Sequence, residues 1–393
     1  MSPSRDFFIP CLFGRLGLKR REPTVEIKLK TLTPLWTGGA DGKCDRIHET
    51  GIIGSLRWWY EALVRGLGGY ACDPISGGCT YDNSKGPSSI CIVCQLFGCT
   101  GHARRFRLVI KGRGDAGRLI EVKLKNPGTK DHRGWRIPAK LAGHLTLNLD
   151  PMQPNGLDIY DKASIYHTLR LIERYGALGA KTSHGQGVVK VIDWGGLQGA
   201  MEADAWAKTM KDRPAKGETN PHPSPNMRDF IGGTATLDDS VTSKPEWWSP
   251  IPLNGLGQFF QGTSPSWIAS APAVRAHLRS WLRSSQNFPD FTGDLNGDRH
   301  RLMGFIKRPV GPKGSDIFVT HLHKDNDQWH MRVFGYIPRN GNAVDEGLRN
   351  LLKDKNKLGS EINSSFGGIP VSVDLYPADI VSLISERKGG THE

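Results

Sequence analysis

Two helical stretches, each bracketed by runs of alternating apolar and polar residues, constrain this chain more than any other feature. Val25, Ile27 and Leu29 alternate with polar residues at the period of a half-buried strand. Ser55 can cap a helix in which Leu56, Trp59, Tyr60, Leu63, Val64 and Leu67 share one face, and Gly66, Gly68 and Gly69 end it. Arg57, Glu61 and Arg65, on the other face at four-residue spacing, support that helix by ion pairing. Phe106, Leu108 and Ile110 alternate next, 112–117 is a turn, and Leu119 to Lys125 reads as a return strand. Leu145, Leu147 and Leu149 alternate again. Asp161 can cap a second helix with Ile165, Leu169 and Ile172 inward and Gly176 as its stop, and Gly187 to Trp194 is a Val/Ile-rich strand. The order β, α, β, β, α, β, with an extra strand or two, is the ferredoxin-like pattern, two helices covering one face of an antiparallel sheet. Its other face stays open, an arrangement RNA-recognition modules use.

The second half is less regular. Residues 201–250 are rich in Pro, Gly, Asp and Lys, and 211–225 reads as a linker or mobile loop. Ala273 to Ser284 reads as a helix with Val274, Leu278, Trp281 and Leu282 inward and Arg275, Arg279 and Arg283 as an outer basic stripe. Ile317 and Val319, the turn Asp325-Asn326-Asp327, then Met331 and Val333 read as a hairpin, and Val344, Leu348 and Leu351 mark a further helix. The expected fold class is α+β with two ferredoxin-like (RRM-like) domains. The first, 1–196, carries a Cys-rich insertion at 70–100 and a Gly-rich loop at 176–187. The second, 197–393, is degenerate and preceded by a loop-rich linker. A chain of 393 residues is long enough for each to bury a core.

Seven cysteines, five of them between Cys72 and Cys99, are an odd set that does not suit a disulfide framework; clustered thiols in a reducing compartment point to metal. Cys91 and Cys94 have the two-residue spacing that wraps one Zn²⁺, and Cys72 and Cys79 complete a set of four, with Cys99 in place of Cys72 as the second choice. Four thiolates make a closed structural zinc site with no open position for catalysis. The competing reading is a set of reduced, unliganded thiols.

Formal charge is +13, from 52 Lys plus Arg against 39 Asp plus Glu. Basic proteins are common, but here twelve cations fall between Arg104 and Lys140 against three acids, Asp115, Glu121 and Asp131, a local field suited to a polyanion. No apolar run approaches the roughly 20 residues of a membrane span. The segment from Phe7 to Leu18 is broken by Arg15 and followed by Lys19, Arg20 and Arg21, which is not the order of a secretory signal. A soluble, cytoplasmic protein with no membrane partner is expected.

Between the second helix and the last strand runs Gly176-Ala-Leu-Gly-Ala-Lys-Thr-Ser-His-Gly-Gln-Gly187. A phosphate-binding P-loop needs Gly directly before Lys and a helix after it; here Ala180 precedes Lys181 and a strand follows. The loop does offer positive-φ positions that expose backbone N–H groups beside Lys181, Thr182, Ser183 and His184, suited to RNA phosphates. The plainer reading is a tight connection that needs glycine for geometry alone.

The stretches from Thr33-Pro-Leu-Trp-Thr-Gly38 through Thr50-Gly-Ile-Ile-Gly-Ser-Leu-Arg-Trp-Trp-Tyr60, Gly68-Gly-Tyr-Ala-Cys-Asp-Pro74, Cys94-Gln-Leu-Phe-Gly-Cys-Thr-Gly101 and the 176–187 loop, with Arg104-Arg105-Phe106, occur in an order that resembles the RAMP superfamily of CRISPR proteins. More narrowly they resemble the subunit-one family of the Cmr (type III-B) effector. The resemblance covers about residues 25–195 and little beyond Trp194. It implies a non-catalytic subunit of an RNA-guided antiviral complex, capping the filament near the 3′ part of the guide and helping to bind target RNA. Implied partners are CRISPR guide RNA, target RNA and other Cmr subunits, both the RAMP backbone and neighbouring cap subunits. The candidate RNA contacts are Arg46, His48, Arg57, Trp58, Arg104, Arg105, Arg107, Lys181, Thr182, Ser183, His184, Gly185 and Gly187. Cations would position the backbone and an exposed aromatic would stack a base, although a helix can also bury Trp58 beside Trp59.

Two other readings stand beside this one. Filament-forming relatives cut target RNA with an Asp on the loop after the first strand, and Asp41 and Asp45 lie there with His48 and Glu49, so metal-dependent endoribonuclease chemistry is available. Against it, His48-Glu49-Thr50-Gly51-Ile52 lacks the second His of a zinc-protease helix, no G-x-S-x-G or kinase signature occurs, and Asp/Gly loops are usually solvated turns. A cap that touches only proteins is the third reading.

Overall fold

The structure is a computed structural model that describes residues 24–39, 41–42, 44–111, 115–121, 138–153, 155–217, 224–242, 302–307, 311–339 and 343–385, with separate positions between 266 and 278. The N-terminal apolar segment, the cations at 113, 123, 125, 130, 133 and 136, and Arg279, Trp281, Leu282 and Arg283 lie outside the described residues.

Strand β1 (Val25–Thr31) turns Val25, Ile27, Leu29 and Thr31 inward and Glu26, Lys28 and Lys30 outward. Helix α1 (Glu49–Gly66) starts six residues before the expected cap: His48 is the N-cap and Ser55 lies inside the helix. It runs through two glycines, and the space above Gly51 is filled by Thr37, whose Cβ would lie 2.8 Å from an added side chain. Short helices α2 (Pro74–Gly77) and α3 (Ile92–Phe97) follow, then strands β2 (Phe106–Lys111), β3 (Asp115–Glu121), β4 (Pro138–Ala142) and β5 (His144–Pro151). Helix α4 (Ile159–Tyr175) is capped by Asp158, not Asp161; Asp161 is the N3 partner in a reciprocal capping box. Strand β6 (Val189–Asp193) completes a sheet of order β2-β5-β1-β6, every pairing antiparallel, while β3 pairs only with β4.

Helix α5 (Ala203–Asp212) follows the first sheet and overlaps the expected 211–225 linker only at its last two residues. Trp206 is fully buried, donates to Ser164 Oγ at 3.0 Å and stacks on Tyr160. Beyond it the chain stays pinned to the first core, with the Lys216 amide donating to Ile90 O at 2.8 Å and Gln95 Nε2 to Pro214 O at 2.8 Å. Burial of Ala203, Trp206, Ala207 and Met210 is what makes this stretch a packed helix.

The remaining elements are β7 (Phe230–Leu237), β8 (Trp267–Ile268), β9 (Phe305–Lys307), β10 (Gly311–Lys313), β11 (Ile317–Val319), β12 (Leu322–Asp325), β13 (Gln328–Tyr336), α6 (Ala343–Lys353), α7 (Lys355–Ser365), β14 (Val371–Leu375) and α8 (Ile380–Ile384). They form a second sheet of order β14-β7-β13-β12-β8, with β11 also paired to β13, and a separate β9/β10 pair. Asn326 and Asp327 both have positive φ, as the two-residue hairpin between β12 and β13 demands. Counting the four main strands of each sheet in chain order, both sheets run fourth, first, third, second. Arg275 is not on an exposed stripe: it is buried and donates to Ile317 O at 2.9 Å and Met303 O at 3.0 Å.

Two apolar cores result. The first joins α1, α3, α4 and the inner face of its sheet to α5, Phe230, Phe334, Tyr336, Leu383 and Ile384. The second lies between its own sheet and α6 and α7. Among the described residues no helix is long and apolar enough to cross a membrane.

Candidate nucleic-acid interface and cysteine centre

Cys72, Cys79, Cys91 and Cys94 are all buried, and their sulfurs lie within 4.8 Å of one another. Cys72 Sγ is 3.5 Å from Cys94 Sγ and 3.7 Å from Cys91 Sγ, close to the edge of a tetrahedron of thiolates about 2.3 Å from a central Zn²⁺. Hydrogen bonding within the cluster lowers the Cys79 and Cys91 thiols and, by the same shared protons, raises Cys94, so the thiols titrate as one unit. By its spacing and burial the donor set fits a structural metal. Cys99 is half-buried and outside the set.

Arg57 belongs to this centre. Its Nη2 points at Cys94 Sγ (3.4 Å) and Cys72 Sγ (3.9 Å), Nη1 donates to Gly98 O (3.0 Å) and Nε to Glu61 (2.8 Å). Those bonds use the guanidinium's donors inside the fold.

A second constellation closes over the C-terminal end of α4. The 33–39 loop and the 176–187 loop are zipped together: Gly187 N donates to Pro34 O (2.9 Å), Ala180 N to Trp36 O (2.8 Å) and Leu178 N to Gly187 O (2.7 Å). Gly187 has φ +93, and a Cβ there would sit 2.1 Å from Leu178 O, so only glycine permits this closure. Lys181 takes the left-handed conformation without being glycine (φ 55), which places its Nζ 4.0 Å from the centroid of the Trp36 ring. Lys181, Thr182 and Ser183 are half-exposed. His184 is half-buried like them, and the chain turns inward at Gly185. Burial takes His184 down to about 4, so it is neutral at physiological pH, and Gly185 is packed under His321, whose amide donates to Gly185 O at 3.0 Å.

Beside this lies the N-terminal end of α1. His48 Nε2 is 2.7 Å from Asp45 Oδ1, and Arg46, exposed, pairs with Glu49 at 2.7 Å. Among the described residues the four cysteines are the only His/Cys/Asp/Glu group placed to hold a metal, so Asp41 and Asp45 gain no third ligand there. Trp58 is half-buried, edge-on to Trp59 (5.3 Å), Tyr336 (5.1 Å) and Phe318 (6.2 Å). It lines a cleft of about 380 Å³ with Gly51, Gly54, Ser55, Thr182, Phe318 and Phe334.

The third group of candidates is elsewhere. Arg105 pairs with Asp161 (2.7 Å) and Asp158 (3.6 Å) at the N-terminal end of α4, Arg104 is half-buried, and Arg107 is exposed on β2. Helix α4 has 17 residues, so this end is about 25 Å from the glycine-rich loop at the other. The candidates thus separate into a loop-and-cleft group, a cysteine-centre residue and a distant arginine cluster. Trp36 was missing from the sequence-based set; its partner Lys181 is 145 positions away, and no local signal joins them.

The family model described as RAMPs (RAMP superfamily) matches residues 28–190. No curated protein matches the chain. Among solved structures it is similar to Cmr1 from Pyrococcus furiosus in its apo form, at 10% identity over 88% of this chain and 97% of that one, with a TM-score of 0.42. It is also similar to chains of two type III-B Cmr-beta structures. One, bound to cognate target RNA, gives 13% identity over 87% of this chain and 99% of that one, TM-score 0.41. The other, bound to cognate target RNA and AMPPnP in the presence of ssDNA, gives 12% over 84% and 98%, TM-score 0.40.

Proposed function

We propose, from the place of residues 28–190 in the RAMP superfamily, that this chain is a non-catalytic RNA-binding subunit of a type III-B CRISPR effector and grips a ribose-phosphate strand. The observation that carries the reading is the placement of Lys181. A strained backbone and the face of Trp36 hold its half-exposed ammonium on the 176–187 loop, which is zipped to the 33–39 loop whose Thr37 accepts from the His48 amide at the positive end of α1. Such a site reads backbone, not sequence, and leaves sequence to the guide. The motif order from Thr33 to Gly187 supports the narrower Cmr subunit-one assignment, and with it guide RNA, target RNA, neighbouring Cmr subunits and a cytoplasmic setting.

The matching order of the two sheets supports two ferredoxin-like domains, the second degenerate. Segment 70–100, between α1 and β2, is then an insertion whose four thiolates hold zinc as a structural clamp. Here zinc would supply only a cross-link, since four sulfurs leave no open position. Cleavage through Asp41 and Asp45 has less support, because Asp45 is already engaged by His48.

Crosslinking of the assembled, guide-loaded complex followed by peptide mapping tests the proposal. Nucleotide adducts on 181–183 are expected; a loaded particle in which those residues meet only protein or solvent would remove it.

A further inference from the structure

We infer that the cleft between α1 and the second sheet receives one unpaired nucleobase of the bound RNA, with Gly54 holding the entrance open. This rests on the RNA-binding reading above and adds what the site selects. Two glycines line the cleft from within α1, and they differ. Gly51 is required by the fold, since an added Cβ would meet Thr37 at 2.8 Å. At Gly54 nothing lies within 4 Å of an added Cβ and φ is ordinary, so alanine would fit. A glycine inside a helix is destabilising relative to alanine. Nothing in the described structure occupies that space, so the need for it lies with a ligand that approaches the helix backbone closely.

The lining says which ligand. The floor is aromatic: Trp58 stands edge-on to Phe318, which stacks on Phe334 at 5.0 Å. A volume of about 380 Å³ is at the small end of ligand sites, with room for a heterocycle and its sugar. Ser55 already accepts from the Gly179 amide through Oγ, which leaves its hydroxyl proton to donate, and Thr182 supplies a second hydroxyl on the rim. Lys181 stands next to Thr182, where the phosphate of an inserted nucleotide would emerge. Aromatic floor, hydroxyl rim and adjoining cation match a base turned out of its stack. A paired base cannot enter, so the cleft favours single-stranded or distorted RNA.

The test compares wild-type full chain with Gly54→Leu in fluorescence anisotropy. The probes are an oligouridine of about 12 nucleotides and an abasic ribose-phosphate oligomer of equal length. Wild type is expected to bind the oligouridine about tenfold more tightly than the abasic oligomer. Gly54→Leu should lose about tenfold on the oligouridine and nothing on the abasic strand. Equal binding of both oligomers by wild type, or full oligouridine binding by Gly54→Leu, overturns the inference and leaves backbone gripping intact. Failure of wild type to bind either oligomer at low salt instead counts against the RNA-binding reading itself, and the inference falls with it. As a second measurement, 4-thiouridine in the wild-type complex should crosslink within 54–58 or at Phe318; adducts confined to other surfaces, or a protein segment found in the cleft, overturn it.

Discussion

The guanidinium of Arg332, on β13, donates to the carbonyl of Gly176 at 2.6 Å and so ties the second sheet to the first residue of the glycine-rich loop. It also donates to Ile172 O (3.3 Å) and Glu173 O (2.5 Å). All three lie at the C-terminal end of α4, where Ile172 O also accepts from the Gly176 amide at 3.0 Å, and a cation is favoured there by the helix dipole. Arg332→Leu is therefore expected to cost about 3 kcal/mol, the loss of several charge-assisted bonds at a buried site. Urea denaturation measures the cost, and the metal content of the folded variant should not change. A variant as stable as wild type would mean that the loop is held by other contacts.

Purified chain is expected to carry one zinc, and Cys94→Ser to lose it. Arg57→Leu should keep the metal but release it to a chromogenic chelator roughly tenfold more readily, the usual size of a second-layer effect. Well under one zinc in wild type would end the metal assignment.

Lys181→Ala should weaken RNA binding and flatten the slope of log affinity against log salt by about 0.7, the contribution of one phosphate contact on a single strand. Arg105→Ala should behave differently. Its guanidinium is engaged by Asp161, a carboxyl that burial raises to about 6, so the loss should appear in stability and leave the salt slope alone. If both variants flatten the slope equally, the separation of the two clusters is wrong.

Acid should loosen the junction. Burial holds His321 and His323 at about 3 and His184 at about 4, so all three stay neutral in the folded chain while the unfolded chain protonates them near 6.5. Their folded values are depressed, so stability is full above about pH 6.5 and drains as pH falls toward the folded values, by about 1.4 kcal/mol per pH unit for each group. The urea midpoint should fall between pH 7 and pH 5, and His321→Gln, which retains an acceptor for the Ala271 amide, should fall less. Identical midpoints at the two pH values would exclude this.

Legibility in the sequence followed the range of the interaction that made each element. Val25, Ile27 and Leu29 declared β1 because a two-residue period is local, and Cys91 and Cys94 declared half of the cysteine cluster for the same reason. The start of α1 was hidden by Gly51 and Gly54, which look like breakers until Thr37 and the cleft are in place. Helix α5 was readable and passed over: Ala203, Trp206, Ala207 and Met210 keep an i, i+3, i+4, i+7 spacing at the start of a 201–250 stretch whose overall Pro, Gly and charge content drew attention to loops. The roles of Arg57 and Trp36 were not readable at all. One depends on cysteines that a loop brings back, the other on a lysine at the far end of the first unit.

Synthesis and packing run in different orders in this molecule. The ribosome makes β1 early, yet the core that β1 serves also takes in Phe334, Tyr336, Leu383 and Ile384. Trp59 waits for Phe230, Phe334 and Tyr336 to cover its ring. A nascent chain therefore carries α1 and α4 with one flank bare until Leu383 and Ile384 have emerged, and contacts this distant in sequence form slowly. The stage most open to aggregation is a chain made past α4 but short of α8, and slower translation of β1 and α1 would bring no relief.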